Sequence, residues 1–144
     1  GTMLVIKQVI AQMAKQGDGG SIVIINSMNS HNPWPRTLPY SAAKAALASA
    51  SRVLAVEYGP QQIRVNNLHA GAILNDGLNI TLNVMAERNG TTRDEEYHKI
   101  ASMGALQSIA TPEEYMGSVL YLLSDLSKPA TGISVHVNSG RYMA

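Results

Sequence analysis

Residues 22–44 read IVIINSMNSHNPWPRTLPYSAAK, and this stretch decides the predicted fold. The continuous apolar run 22–25 predicts a short strand buried on both faces, as in a parallel sheet that is covered by helices. The polar and proline-rich segment 29–39 predicts a loop. Pro39 suits the first turn of a helix, which we expect to end near Tyr58. A strand, a loop and a helix in this order indicate a βα unit.

The rest of the chain alternates helical and strand patterns around this unit. Apolar residues at three- and four-residue spacing predict a helix over Met3–Met13. We also expect strands at Ile63–Leu68 and Ile133–Val137. Further helices are expected at Leu82–Arg88, at Asp94–Met103 and after Thr111. The buried face of the last helix is predicted to consist of Met116, Val119, Leu120, Leu123 and Leu126.

This order predicts one α/β domain over residues 1–144. Its architecture would be a partial Rossmann-like, doubly wound parallel sheet of about three strands with flanking helices.

Composition and charge exclude several classes of function. The chain carries 11 basic and 10 acidic side chains with no basic stripe, which argues against nucleic acid and membranes as partners. The absence of cysteine excludes disulfides and thiolate metal sites. No segment approaches the roughly 18 apolar residues of a membrane span, and no secretory signal is visible. We therefore expect a soluble, cytoplasmic protein.

Tyr40 and Lys44 lie four residues apart on the predicted helix, and therefore on one face of it. A free tyrosine has a pKa of about 10, and a nearby ammonium favours the phenolate, which tunes a phenol for acid–base catalysis. Ser27 ends the preceding strand, where ligands bind in open parallel sheets, so its hydroxyl can meet the other two groups. The alternative is an exposed helical pair that stabilises the helix by about 0.2–0.5 kcal/mol.

These residues resemble the carboxy-terminal part of a short-chain dehydrogenase/reductase. In that family a strand ends in the catalytic serine, thirteen residues before the tyrosine of a Tyr-x-x-x-Lys motif, as Asn26-Ser27 and Tyr40-Ser41-Ala42-Ala43-Lys44 do here. Further stretches that resemble the family are Ile63-Arg64-Val65-Asn66, Ala70-Gly71-Ala72-Ile73 and Thr111-Pro112-Glu113-Glu114. The resemblance covers essentially the whole chain.

The resemblance implies an NAD(P)-dependent oxidoreductase that interconverts a small secondary alcohol and its ketone by hydride transfer. It implies that Tyr40 is the acid/base and also contacts the cofactor, that Lys44 lowers the pKa of Tyr40 and holds the nicotinamide ribose, and that Ser27 polarises the carbonyl group. Whether the cofactor is NAD or NADP stays open, because the residue that selects between them is absent from this sequence.

The resemblance also implies cofactor-binding roles for Gly71, Ile73 and Asn75. Gly71 would let the backbone approach the nicotinamide, Ile73 would offer main-chain bonds to its carboxamide, and Asn75 stands where a phosphate-contacting threonine is common in the family. Candidates for the wall of the substrate site are His31, Trp34 and residues 74–103.

The largest departure from the family is an absent motif. The glycine-rich turn that seats the cofactor's pyrophosphate on a helix N-terminus does not occur in this sequence. We therefore expect a catalytic fragment that lacks the amino-terminal half, which is either cut away or supplied by another chain. The alternative is a truncated, non-catalytic protein that keeps the fold and self-associates without binding nucleotide.

Three surfaces predict self-association as a homodimer or homotetramer. They are the small-residue helix Ala42–Val56, the apolar face of the helix Met3–Met13, and the open edge of the strand Ser21–Asn26. The histidines His69, His98 and His136 lack the spacing of metal ligands, so we predict structural roles for them and no metal site.

Overall fold

The central strand of the sheet is β2 (Ile63–Ala70), which lies between β1 (Gly20–Ser27) and β3 (Ser134–Val137). A computed structural model describes residues 1–143, and within them all strand pairs are parallel. The helices are α1 (Thr2–Gln16), α2 (Leu38–Tyr58), α3 (Asp76–Asn89), α4 (Arg93–Ala101) and α5 (Pro112–Leu123). Short 3-10 helices cover Met28–Ser30, Gly59–Gln61 and Asp125–Ser127. The predicted α/β class and its three parallel strands with flanking helices are confirmed.

Helices cover both faces of the sheet, and each face has its own core. One core joins α1 and α2 to the sheet through Ile6, Ile10, Ile24, Ala55, Ile63 and Val65. The other joins α5 to the sheet through Leu68, Ala70, Tyr115 and Leu122. Because side chains alternate along a strand, the odd-numbered residues of β2 face α2 and the even-numbered ones face α5.

The helix boundaries follow from local capping chemistry. α1 ends at Gly17, whose φ of 79° is in the left-handed region that glycine adopts without strain. α4 and α5 each begin with a capping box, formed by Thr92 with Glu95 and by Thr111 with Glu114. The helix start predicted at Thr111 is therefore confirmed.

The helix α3 begins six residues earlier than the predicted Leu82. The side chain of Asn75 accepts a hydrogen bond from the Leu78 backbone N–H at 2.9 Å and thereby caps the first turn of α3. The apolar pattern of residues 76–81 is weak, so the cap rather than the pattern determines where this helix starts.

Two burial predictions were wrong. β1 is an outer strand of the sheet and is not buried on both faces, since Ile25 is 51% exposed. The buried face of α5 consists of Tyr115 and Leu122 with Val119 packed against them, since positions i, i+4 and i+7 meet the sheet. The predicted residues Met116, Leu120, Leu123 and Leu126 are instead exposed.

Polar side chains of β2 hold the neighbouring elements in place. The guanidinium of Arg64 donates to the carbonyl oxygens of Leu122 and Ser124 at 3.1 Å each, at the end of α5. Asn66 is fully buried and bridges Ala130 O and Ile133 N at 2.9 and 3.1 Å, which fixes the start of β3. The stretch Ile63–Asn66 therefore has a structural role.

Candidate active site

Ser27, Tyr40 and Lys44 lie at the carboxyl edge of the sheet. Ser27 is the last residue of β1 and is buried, with its Oγ accepting a hydrogen bond from Asn29 N at 3.2 Å. Tyr40 lies in the first turn of α2, and its side chain is half-exposed. Its hydroxyl has no hydrogen-bond partner within residues 1–143, so it is free to bind a ligand.

Lys44 connects Tyr40 to β1. Its Nζ lies 5.7 Å from the centroid of the Tyr40 ring and donates a hydrogen bond to the Ile25 carbonyl oxygen at 3.1 Å. Because Ile25 is two residues before Ser27, this bond holds the ammonium beside the end of β1. An ammonium carries three donors, so two remain for other acceptors.

A buried chain of amides fixes α2 against the sheet. Asn26 Nδ2 donates to the Lys44 carbonyl oxygen at 3.1 Å and to Asn67 Oδ1 at 3.3 Å. Asn67 in turn donates to the Ser51 hydroxyl on α2. These contacts tie the backbone of Lys44 to β1 and β2, and they restrict how α2 can move relative to Ser27. The sequence did not reveal them, although Asn26 directly precedes the predicted catalytic serine.

Ser30 organises the turn that follows Ser27. Its Oγ lies 2.7 Å from the Ser27 carbonyl oxygen, 2.7 Å from His31 Nδ1 and 2.8 Å from His69 Nδ1. A hydroxyl has one proton and a carbonyl only accepts, so all three contacts are hydrogen bonds when both Nδ1 atoms are protonated. His69 Nε2 then accepts from the Ser134 hydroxyl at 3.1 Å.

Three histidine rings cluster behind this turn. His69 and His136 are register partners on β2 and β3, with ring centroids 5.0 Å apart, and the His31 ring lies 4.7 Å from that of His69. Burial lowers the pKa of His69 from 6.5 to about 4, and the neighbouring His31 and His136 add to this effect, although the Ser27 carbonyl opposes it. Burial also lowers the pKa of His136, whose buried Nδ1 has no partner within residues 1–143.

His69 and His136, whose pKa values are lowered, are therefore neutral imidazoles at neutral pH. Within residues 1–143, no group of three or more His, Cys, Asp or Glu side chains has the arrangement to hold a metal ion. The sequence did not predict this cluster, because it depends on the pairing of β2 with β3.

The predicted cofactor-binding residues Gly71, Ile73 and Asn75 follow β2 directly. A Cβ at Gly71 would lie 2.9 Å from the Cα and the Cβ of Asn138, so glycine is needed here for the close approach of the tail after β3. Ile73 pairs with Ala110 in an isolated parallel bridge. The side-chain oxygen of Asn75 caps α3 by accepting a hydrogen bond from Leu78 N. This oxygen therefore has a structural role that does not involve a cofactor phosphate.

Tyr115 supports the segment that contains Gly71 and Ile73. Its hydroxyl donates to the Ala72 carbonyl oxygen at 3.2 Å, and burial raises the pKa of this phenol. Tyr115 is therefore a neutral donor that holds the backbone between the two predicted cofactor contacts.

Two candidates for the substrate wall are brought together by the C-terminal tail. The guanidinium carbon of Arg141 lies 4.1 Å from the centroid of the Trp34 ring, and Arg141 Nη2 donates to Met103 Sδ at 2.9 Å. The ring of the adjacent Tyr142 lies 6.0 Å from that of His31. The sequence singled out Trp34, His31 and the segment that ends at Met103, but it did not indicate Arg141.

Glu96 stabilises the junction of α3 and α4, which belongs to the same segment. Its carboxylate accepts hydrogen bonds from Lys99, Thr91 and Asn89 at 2.6, 2.6 and 3.2 Å. These bonds, Lys99 first, lower the pKa of Glu96 to about 2.

The chain is similar to known proteins along nearly its whole length. A family model described as "Enoyl-(Acyl carrier protein) reductase" matches residues 1–141. A short-chain dehydrogenase/reductase of Aspergillus oryzae is 35% identical over 140 residues, which cover 97% of this chain and 51% of the relative. The chain belongs to the short-chain dehydrogenase/reductase family. Its oxidoreductase family and its fold, as predicted from the motifs, are confirmed.

Other family members extend the comparison. Pig "Carbonyl reductase [NADPH] 2" is 33% identical over 140 residues, covering 96% of this chain and 53% of that protein. The crystal structure of L-sorbose reductase from Gluconobacter frateurii with NADPH and L-sorbose is 26% identical, with a TM-score of 0.87 over 94% of this chain and 51% of that one. The chain thus spans about half the length of the relatives it matches. Within residues 1–143, each helix is too short or too polar to cross a bilayer.

Proposed function

We propose that the chain is the catalytic part of an NAD(P)-dependent oxidoreductase that interconverts a small secondary alcohol and its ketone. The observation that carries this proposal is the position of Tyr40 and Lys44, one turn apart on α2, with Lys44 bonded to β1 beside Ser27. A phenol, an ammonium and a hydroxyl at one edge of a parallel sheet suit proton transfer to a carbonyl oxygen.

Each of the three groups has a distinct role in the proposed reaction. In the direction of reduction, Ser27 donates a hydrogen bond to the ketone oxygen, and Tyr40 transfers its proton to that oxygen as the alcohol forms. Lys44 stabilises the phenolate that remains, because its positive charge lies on the same helix face. In the direction of oxidation, the phenolate of Tyr40 takes the proton back.

The donor groups at this edge fit the ribose end of a nicotinamide cofactor. The unpartnered Tyr40 hydroxyl and the two remaining protons of Lys44 can hydrogen-bond the ribose hydroxyls. The backbone around Ile73 follows the end of β2, at the same edge of the sheet. When bound, the cofactor supplies or accepts the hydride. Two of the known relatives are described with NADPH, which supports a nicotinamide cofactor here.

The pyrophosphate end of the cofactor needs a second half of the protein. The sequence contains no glycine-rich turn between a strand and a helix, and the chain spans about half of its relatives. We propose that a nucleotide-binding half, on the same polypeptide or on another chain, packs against the outer edge of β1. This edge has no strand partner within residues 1–143.

The second candidate is a non-catalytic protein that self-associates. Exposed apolar residues on α1 and α2 favour it, among them Leu4, Val5, Val53 and Val56. It differs from the first candidate in that replacing Tyr40 would leave its function unchanged.

The substitution Tyr40→Phe tests the proposed chemistry. For turnover, the chain is joined to the half of pig carbonyl reductase that it does not match. Removing the phenolic proton should lower kcat for ketone reduction by about 100- to 10,000-fold. Tyr58→Phe, at the opposite end of α2, is the matched control and should keep full activity. Equal activity of Tyr40→Phe and the unaltered protein would refute the proposed role.

A further inference from the structure

The tail after β3 forms a tight turn at the carboxyl edge of the sheet. Asn138 is buried, and its Oδ1 accepts hydrogen bonds from the backbone N–H groups of Arg141 and Tyr142 at 3.0 and 3.3 Å. Its Nδ2 donates to the Tyr142 carbonyl oxygen at 3.0 Å. The turn is further held against the segment after α4, where Leu106 N donates to Ser139 O at 3.0 Å. The Asn138 side chain and the segment after α4 therefore hold the turn that contains Arg141 in place.

The guanidinium of Arg141 has an aromatic partner but no anionic one. It lies over the Trp34 ring at 4.1 Å, a cation–π geometry, and one N–H reaches Met103 Sδ at 2.9 Å. Within residues 1–143, no carboxylate lies within 4.0 Å of it. Its partial burial lowers the pKa of Arg141, which remains charged at neutral pH. The other N–H donors of this group have no acceptor among the described residues.

This arrangement suits an oxyanion. Stacking on an indole covers the flat face of a guanidinium, so its edge, with a fork of N–H donors, stays available. That fork matches the two oxygens of a carboxylate or of a phosphate, and a bidentate contact of this kind is strong when it is partly shielded from water. Thioether sulfur is a weak acceptor, so Met103 gives way readily to such a ligand.

The position of Arg141 relates it to the proposed reaction. Trp34 belongs to the loop that joins Ser27 to Tyr40, and Met103 follows α4. An anion on Arg141 would therefore lie beside the loop that joins two of the proposed proton-handling groups. If Arg141 served only to hold the tail against the loop, a structural latch, it would not need a charged group with unused N–H donors.

We propose that Arg141 binds an oxyanion, a carboxylate or a phosphate group, that the substrate carries. The oxidoreductase would then act on ketones and alcohols that bear a negative charge. That the oxyanion belongs to a substrate rests on the function proposed above, whereas the oxyanion site itself does not.

Trp34 is the single tryptophan of the chain and reports directly on Arg141. The chain is titrated with acetate and, separately, with inorganic phosphate at constant ionic strength, with chloride as the reference anion. We expect a saturable change in Trp34 fluorescence with at least one of the two oxyanions, and the two titrations show which of them binds. Arg36→Gln removes the same charge from the same loop and should respond as the unaltered chain does.

Arg141→Gln should abolish the response, and Arg141→Lys should weaken binding by about tenfold or more because it keeps the charge but loses the planar fork. A response no larger than that to chloride would overturn the proposal, as would an undiminished response in Arg141→Gln. Circular dichroism checks that the Gln variant is folded. If it is not, the Lys variant decides the matter, and unchanged affinity in that variant overturns the proposal.

A pair of substrates separates this inference from the proposed function. With the joined protein, kcat/KM is measured for a 2-oxo acid and for the methyl ester of the same acid. Arg141→Gln should lower kcat/KM for the acid by about 10- to 100-fold through KM and leave the ester unchanged. An equal loss for both substrates would make Arg141 a structural latch and overturn the inference. If Tyr40→Phe has no effect while the oxyanions still bind, the proposed function fails and the anion site stands.

Discussion

β1 and β2 have the same length and pair along all eight residues, from Gly20 with Ile63 to Ser27 with Ala70. Their surroundings differ. Nearly every residue of β2 is buried, and its polar side chains are bonded to α2, α5 and β3, whereas β1 is an outer strand and exposes Ile25. Residues of this chain therefore cover β2 on both faces and on both edges. The outer edge of β1, the strand that carries Ser27, has no strand partner within residues 1–143.

The largest effect expected from this difference is in stability. Ile63→Ala deletes a fully buried side chain from the core and should lower the free energy of unfolding by about 2–5 kcal/mol. The same substitution at Ile25, which is half-exposed, should cost less than about 1 kcal/mol. Urea unfolding of both variants measures the difference. Similar losses at the two positions would mean that β1 is as well covered as β2.

The second effect is a pH dependence that arises in β2. The pKa of His69 is about 4 in the fold against 6.5 when unfolded, so the unfolded chain binds the proton first as the pH falls. The stabilisation is complete above pH 6.5 and is lost as the pH falls through 4. The stabilisation from His69 is about 3 kcal/mol in total. The lowered pKa of His136 makes the free energy of unfolding fall with pH in the same direction.

Urea midpoints at pH 7, 5 and 4 test this expectation. His69→Gln should remove most of the fall in stability between pH 7 and pH 4, whereas His98→Gln, on the exposed side of α4, should keep it. An unchanged pH dependence in His69→Gln would place its origin outside β2.

The sequence predicted the elements of this fold because their signals are local. The run Ile22–Ile25, the proline at 39 and the capping box at Thr111 each specify a boundary from neighbouring residues alone. The spacing of Tyr40 and Lys44 similarly places two groups on one helix face. The sequence did not predict the start of α3, because this start depends on a single capping residue, Asn75. The position of Asn75 also resembles a cofactor contact of the family, which hides its capping role.

What the sequence did not reveal depends on long-range register. The stack of His69 on His136 requires β2 to pair with β3, and the contact of Arg141 with Trp34 joins residues more than a hundred positions apart. The exposure of Ile25 likewise depends on β1 being an outer strand of the sheet. A continuous apolar run has the same appearance in an outer strand as in a central one.

The smallest expected effect on stability accompanies a change in association. Ile25→Lys should alter the free energy of unfolding by less than about 0.5 kcal/mol, because the side chain is half-exposed. It should nevertheless weaken the predicted self-association, since β1 and α1 form an open apolar surface. Ile80→Lys, on the exposed face of α3, is the control. Sedimentation at micromolar concentration decides, and a clean monomer of the unaltered chain would contradict the prediction.

The most direct test is a fluorescence titration, with NADH and with NADPH, of the joined protein in which this chain is fused to the half of pig carbonyl reductase that it does not match. It tests the proposal that the edge formed by Ser27, Tyr40 and Lys44 is a nicotinamide site. We expect saturable binding that Lys44→Met weakens by about tenfold or more, because charge-assisted bonds to the ribose are lost. Lys15→Met, in the last turn of α1, should bind as the unaltered chain does. Absence of saturable binding by the joined protein, or equal affinity of its Lys44→Met variant and the unaltered form, would refute the proposed nicotinamide site.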